Sequence, residues 1–83
     1  MYRVIVHRRV SKFLTRLADE KARRRLLDVL ASLRDYPVVL RSLDVEKIRG
    51  AVRTFRVRVG RYRIVFYVNK AERTIYVTHV FMK

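Results

Sequence analysis

Residues 55–68 read FRVRVGRYRIVFYV, and no other stretch restricts the fold so tightly. Two runs of β-branched and aromatic residues flank the dipeptide Gly60-Arg61. A two-residue connection with Gly first predicts a type II′ hairpin, because Gly alone enters positive φ there without strain. Side chains on a strand alternate between faces. Phe55, Val57 and Val59 therefore share one face of the first strand with Tyr62, Ile64, Phe66 and Val68 of the second. Arg56, Arg58 and Arg63 fall on the opposite face, with Val65 and Tyr67. If the apolar rows meet a core, three guanidinium groups gather on the other surface of a rigid hairpin. Planar, permanently charged and able to donate in pairs, they make a site for anions.

The rest of the chain reads as a scaffold for that hairpin. Tyr2 to His7 alternates as a strand. Ser11 is the expected N-cap of a helix whose apolar positions are Phe13, Leu14 and Leu17. Asp19 is placed to cap a second helix, on which Ala22, Leu26, Leu27, Val29, Leu30 and Leu33 form a stripe that runs to Tyr36 and stops at Pro37. Two helices joined tightly make a helical hairpin; one long bent helix is the alternative. Arg23, Arg24 and Arg25 are expected on its solvated face. Val38 to Glu46 reads as a loop or a short helical turn, and Lys47-Ile48-Arg49-Gly50 leads into the sheet. The hairpin strands are expected at 52–59 and 62–68. A last strand over 74–81 puts Ile75, Val77, His79 and Phe81 on one side and Tyr76, Thr78, Val80 and Met82 on the other. The order β-α-α-β-β-β predicts an α+β fold, with an antiparallel sheet carrying the N-terminal helical hairpin on one face. The 83 residues are expected to form a single domain, 1–83.

Charge is the strongest global constraint on partners. Lys and Arg number 21 against 7 acids, a formal net charge of +14. Residues 47–83 hold 10 of those bases and only one acid, Glu72. A basic half on so small a domain points to a polyanion, with nucleic acid first and an acidic protein second. The apolar share of 51% is ample for a core and argues against disorder. With no Cys, neither a disulfide framework nor a thiolate metal site is available, which fits a reducing compartment. No secretory segment or membrane span is evident, so a cytoplasmic protein with no membrane partner is expected.

Most enzyme chemistries lack their residues. Only His7 and His79 offer imidazole, and no carboxylate pair stands near either at ligand spacing, so no metal site is expected. Gly50 and Gly60 are the only glycines, too few for a phosphate-cradling loop, and no cofactor is expected. A serine hydrolase would need a strand-turn-helix nucleophile site, which is missing. RNA is the substrate that asks least of a basic surface, because it carries its own nucleophile. A 2′-hydroxyl held in line attacks the adjacent phosphate without a metal, and the protein orients the strand and stabilises the developing charge. Arginine suits that second task but exchanges protons poorly. His79 and Tyr67 are the residues available for proton transfer. The residues alone leave binding and cleavage of nucleic acid both open.

Taken together, the element order, Lys47-Ile48-Arg49-Gly50 and the run from Phe55 to Ile64 resemble the RelE/ParE toxin superfamily of toxin–antitoxin systems. The likeness spans nearly the whole chain. It implies a ribosome-dependent mRNA endonuclease, metal-independent, neutralised by an acidic antitoxin that wraps its surface. By position it implies that Arg49, Arg56, Arg58 and Arg63 orient and stabilise the scissile phosphate. A further catalytic cation of the family corresponds to Lys83. One branch of the family, similar to HigB, has a His-x-Phe-x-Lys motif that His79, Phe81 and Lys83 match. The expected catalytic set is thus Arg56, Arg58, Arg63, His79 and Lys83, with Arg49, Arg53, Arg61 and Tyr67 as further RNA contacts. Many relatives place a tyrosine beyond this point, and no tyrosine follows Tyr76 here. ParE-like relatives use the same fold against DNA gyrase, and a basic RNA-binding module without cleavage is the third reading.

Overall fold

A computed structural model describes residues 1–83. Strand β1 (Arg3–Val6) leads into helices α1 (Arg8–Arg16) and α2 (Glu20–Ser32), and two short 3-10 turns follow at Leu33–Asp35 and Val38–Ser42. Four strands complete the chain: β2 (Asp44–Lys47), β3 (Thr54–Val59), β4 (Tyr62–Asn69) and β5 (Thr74–Met82). They form one sheet in the order β1-β5-β4-β3-β2. No helix is long and apolar enough to cross a membrane.

The α+β architecture follows from where the apolar side chains must go. Val10 and Leu14 of α1 and Leu26 and Leu30 of α2 recur at helical spacing and are buried. They share one core with Val57, Val59, Ile64, Phe66, Val68, Ile75 and Val77 from one face of the sheet. Phe66 is wholly buried and stacks against Phe55 at 5.4 Å between ring centroids. Leu27 lies off the stripe and is exposed. Asp19 caps α2 as expected, its Oδ1 accepting from the Ala22 N–H at 3.0 Å. Gly60 sits at φ +61° between β3 and β4, whereas Arg61 keeps negative φ, as a II′ turn requires.

Four local features depart from the sequence reading. His7, not Ser11, caps α1, with its Nδ1 accepting from the Arg9 N–H at 3.0 Å. The second helix ends at Ser32 rather than Tyr36, in 3-10 geometry. The segment before Lys47, read as a loop or a short helical turn, does hold a 3-10 turn at Val38–Ser42, but it also holds the edge strand β2, which is antiparallel to β3. Its single inward apolar residue, Val45, gave too weak an alternation to mark a strand. The sheet is also mixed, since β1 lies parallel to β5. That pairing inserts the last strand between the first strand and the hairpin.

A bulge in β5 changes which residues reach the open face. Its register against β4 runs Tyr67↔Tyr76, Phe66↔Val77, Val65↔His79, Ile64↔Val80 and Arg63↔Phe81. Thr78 has no opposite residue, and its hydroxyl donates to the Val65 carbonyl at 3.3 Å. One extra residue inverts the alternation beyond it. Val80 consequently enters the core with Ile75 and Val77, while His79 and Phe81 turn to the arginine side. Uninterrupted alternation instead groups His79 and Phe81 with Ile75 and Val77 and puts Val80 on the other side.

Candidate active site

The face of the sheet turned away from the helices is ordered in rows by strand register. Asp44, Arg58, Arg63 and Phe81 make one row; Glu46, Arg56, Val65 and His79 make the next. Arg56, Arg58 and Arg63 thus converge, as the hairpin alternation predicts. Together with Asp44, Glu46, Phe81 and Lys83 they line a cleft of about 330 Å³. Phe81, 39% exposed, is its one apolar wall. The Lys83 N–H donates to the Arg61 carbonyl at 2.9 Å, anchoring the end of β5 against the hairpin turn.

The sequence reading does not place the two carboxylates, Asp44 and Glu46, at this cleft. Arg56 donates from Nε to Glu46 Oε1 at 2.9 Å, and its Nη2 also pairs with that oxygen. Arg58 Nε faces Asp44 Oδ2 at 3.0 Å. Arg56 holds the Glu46 carboxyl below the usual carboxylate range, mainly by hydrogen bonding and then by charge. Arg63 is fixed differently, donating from Nη1 to the carbonyls of Tyr62 at 3.0 Å and Gly60 at 3.2 Å. The cleft therefore holds four cations against two acids, and Arg63 and Lys83 have no carboxylate partner. The available signal was the alternation in Asp44-Val45-Glu46, which puts both acids on one strand face.

The other expected residues lie apart from this cleft. His79 shares the open face but does not line the cavity. Arg9 Nη1 contacts its Nε2 at 2.9 Å, and Thr78 Oγ1 lies 3.0 Å from its Nδ1. A guanidinium can only donate, so these partners assign the ring proton to Nδ1 and occupy Nε2 as an acceptor. Arg49 and Arg53 border the turn before β3, at the opposite end of that strand from the cleft. Arg61 is in the hairpin turn beside α2 residues such as Arg25. Tyr67 lies on the open face two residues beyond Val65, stacked on Tyr76.

What such a site can do is bounded by its charge. Convergent arginines clamp a phosphodiester and oppose negative charge on a pentacoordinate phosphorus. The open sheet also gives an extended strand room to lie across it.

Comparison with known proteins agrees with the architecture. Residues 4–82 match the family model described as the ParE toxin of type II toxin–antitoxin systems. The RelE1 protein of Methanocaldococcus jannaschii is 24% identical over 79 residues, covering 95% of this chain and 87% of its own. In the crystal structure of the archaeal RelE–RelB complex from Pyrococcus horikoshii, a 31% identical chain superposes with a TM-score of 0.83, over 98% of this chain and 93% of that one. The RelB–RelE complex of Methanococcus jannaschii gives 26% identity and a TM-score of 0.77, over 94% and 88%. With a family model spanning nearly every residue and a relative of the same architecture at 31% identity, the chain belongs to the RelE/ParE superfamily of toxins of type II toxin–antitoxin systems.

Proposed function

We propose that this toxin is a metal-independent endoribonuclease that cleaves mRNA on the ribosome. The observation that carries the reading is the convergence of Arg56, Arg58, Arg63 and Lys83 on one cleft. In the reaction the 2′-oxygen attacks the neighbouring phosphorus, the bond to the 5′-oxygen breaks, and a 2′,3′-cyclic phosphate and a 5′-hydroxyl result. The 2′-hydroxyl loses a proton and the leaving oxygen gains one. The arginines keep their charge throughout and stabilise the phosphorane-like transition state. Lys83 and the cleft carboxylates are the groups at the site able to exchange protons. His79, engaged by Arg9, acts by holding that side of the site in place. Arg49, Arg53, Arg61 and Tyr67 extend the RNA contacts, and residues 1–83 act as one toxin domain in the cytoplasm, where the ribosomes are.

A cognate antitoxin is the second proposed partner. Relatives have been crystallised as RelE–RelB complexes. The net charge of +14 favours an acidic chain covering the arginine face or the helices. The nuclease reading is tested by adding purified toxin to translating ribosomes and mapping mRNA ends. Cleavage is expected, with Arg63→Ala losing most of it, and intact message at stoichiometric toxin would refute the reading. The match to a ParE family model favours one alternative, inhibition of DNA gyrase. Lost supercoiling activity with uncut RNA would select it, and salt-dependent RNA binding without either effect would mark a non-catalytic module.

A further inference from the structure

The open face carries a second feature beyond the cleft. Tyr67 and Tyr76 sit opposite each other on β4 and β5 and stack with centroids 5.0 Å apart and planes 20° apart. The Tyr76 hydroxyl donates to Glu72 Oε1 at 2.7 Å, which fixes the ring from the turn side. Tyr67 is 39% exposed, although neither ring is needed to close the core on the other side. By register, Ile5 of β1 is next to Tyr76, and Arg3 follows beside Thr74. On the other flank Thr54 faces Tyr67, and Arg53 precedes it.

We infer that the Tyr67–Tyr76 pair is a stacking platform for nucleobases of the strand whose phosphate occupies the arginine cleft. The inference rests on the RNA-cleavage reading of that cleft. Tyr67 is four residues along β4 from Arg63, roughly 13 Å at the rise of an antiparallel strand. Open sheets that bind single-stranded RNA stack about two or three bases on such rings. The two ends of this face divide the work: guanidinium groups take the backbone, and phenol rings take the bases. Arg3, on the open face in register beside Thr74, gives the Tyr76 flank a cation that matches a polyanion, while Glu72 takes only the Tyr76 hydroxyl.

The test uses the full chain with two short single-stranded RNAs of equal length, one of adenosines and one with abasic riboses. The wild type is expected to prefer the base-bearing strand. Tyr67→Ala/Tyr76→Ala is expected to lose roughly fivefold to a hundredfold in affinity for it. Its affinity for the abasic strand and its salt dependence stay unchanged, because no phosphate contact is removed. Tyr76→Phe keeps the ring and is expected to retain most of the preference, so a folding defect in the double variant does not decide the matter. Equal wild-type affinity for both RNAs would overturn the platform. So would a double variant that keeps its RNA preference and loses only the co-encoded antitoxin, which would make the rings a protein contact. Ribosomal cleavage is scored separately: wild type that prefers bases but never cuts mRNA would refute the nuclease reading and leave the platform standing.

Discussion

Replacing Glu46 by Gln should make this toxin bind RNA more tightly. The amide keeps the length and an acceptor oxygen, but removes the charge that occupies Arg56. In the native cleft four cations face two acids, a local balance of +2, and the substitution raises it to +3. Both side chains of the pair are substantially exposed, so folding should hardly change. The effect belongs to binding. One additional phosphate contact steepens the dependence of log K on log salt by about 0.7 for a single strand. Between 50 and 200 mM salt, the affinity ratio of variant to wild type should therefore shrink about 2.6-fold. Adding Asp44→Asn, which frees Arg58, should double the change in slope. Fluorescence anisotropy with a labelled single-stranded RNA over that salt range reads both numbers. Parallel salt plots would show that the substitution gives Arg56 no additional phosphate contact, which refutes the gain argued from the ion pair.

Two predictions concern the scaffold and its pH response. Phe66→Ala, at a wholly buried position stacked on Phe55, should cost about 3–5 kcal/mol in urea unfolding, and a loss under 1 kcal/mol would contradict the packing. The hydrogen bond to Glu72 raises the Tyr76 pKa above the ordinary value of about 10. Because the neutral phenol is favoured, that bond's stabilisation is complete below pH 10 and fades as pH rises through the elevated value. Glu72→Gln should bring the Tyr76 titration, followed by ring-carbon NMR, back towards 10, and an unmoved curve would refute the assignment.

The hairpin was legible because two independent signals coincide there. Gly60 sets the turn, and strict alternation then commits Arg56, Arg58 and Arg63 to one face. Asp19 was legible as a cap for a similar reason, since the apolar stripe of α2 begins just after it. Ser11 failed as a cap because the preceding strand ends so close to α1 that His7 reaches the first free N–H. The cleft's acids escape the sequence reading because β2 takes its strand conformation from backbone pairing with β3, on an edge with one inward apolar side chain and Glu46 and Asp44 opposite Arg56 and Arg58. Alternation alone misplaces Phe81 because the unpaired Thr78 leaves no mark in composition or spacing.

The position of β5 sets a schedule for this molecule's birth. The final strand is interior to the sheet, zipped to the N-terminal strand on one edge and the hairpin on the other. Nothing translated earlier can stand in for it, and Phe81 and Lys83, two walls of the cleft, travel with it. A nascent chain grown only to Arg73 carries Arg56, Arg58 and Arg63 but lacks two walls of the cleft. The machine that synthesises this toxin has therefore emitted residues 74–82 before the assembled cleft exists beside it.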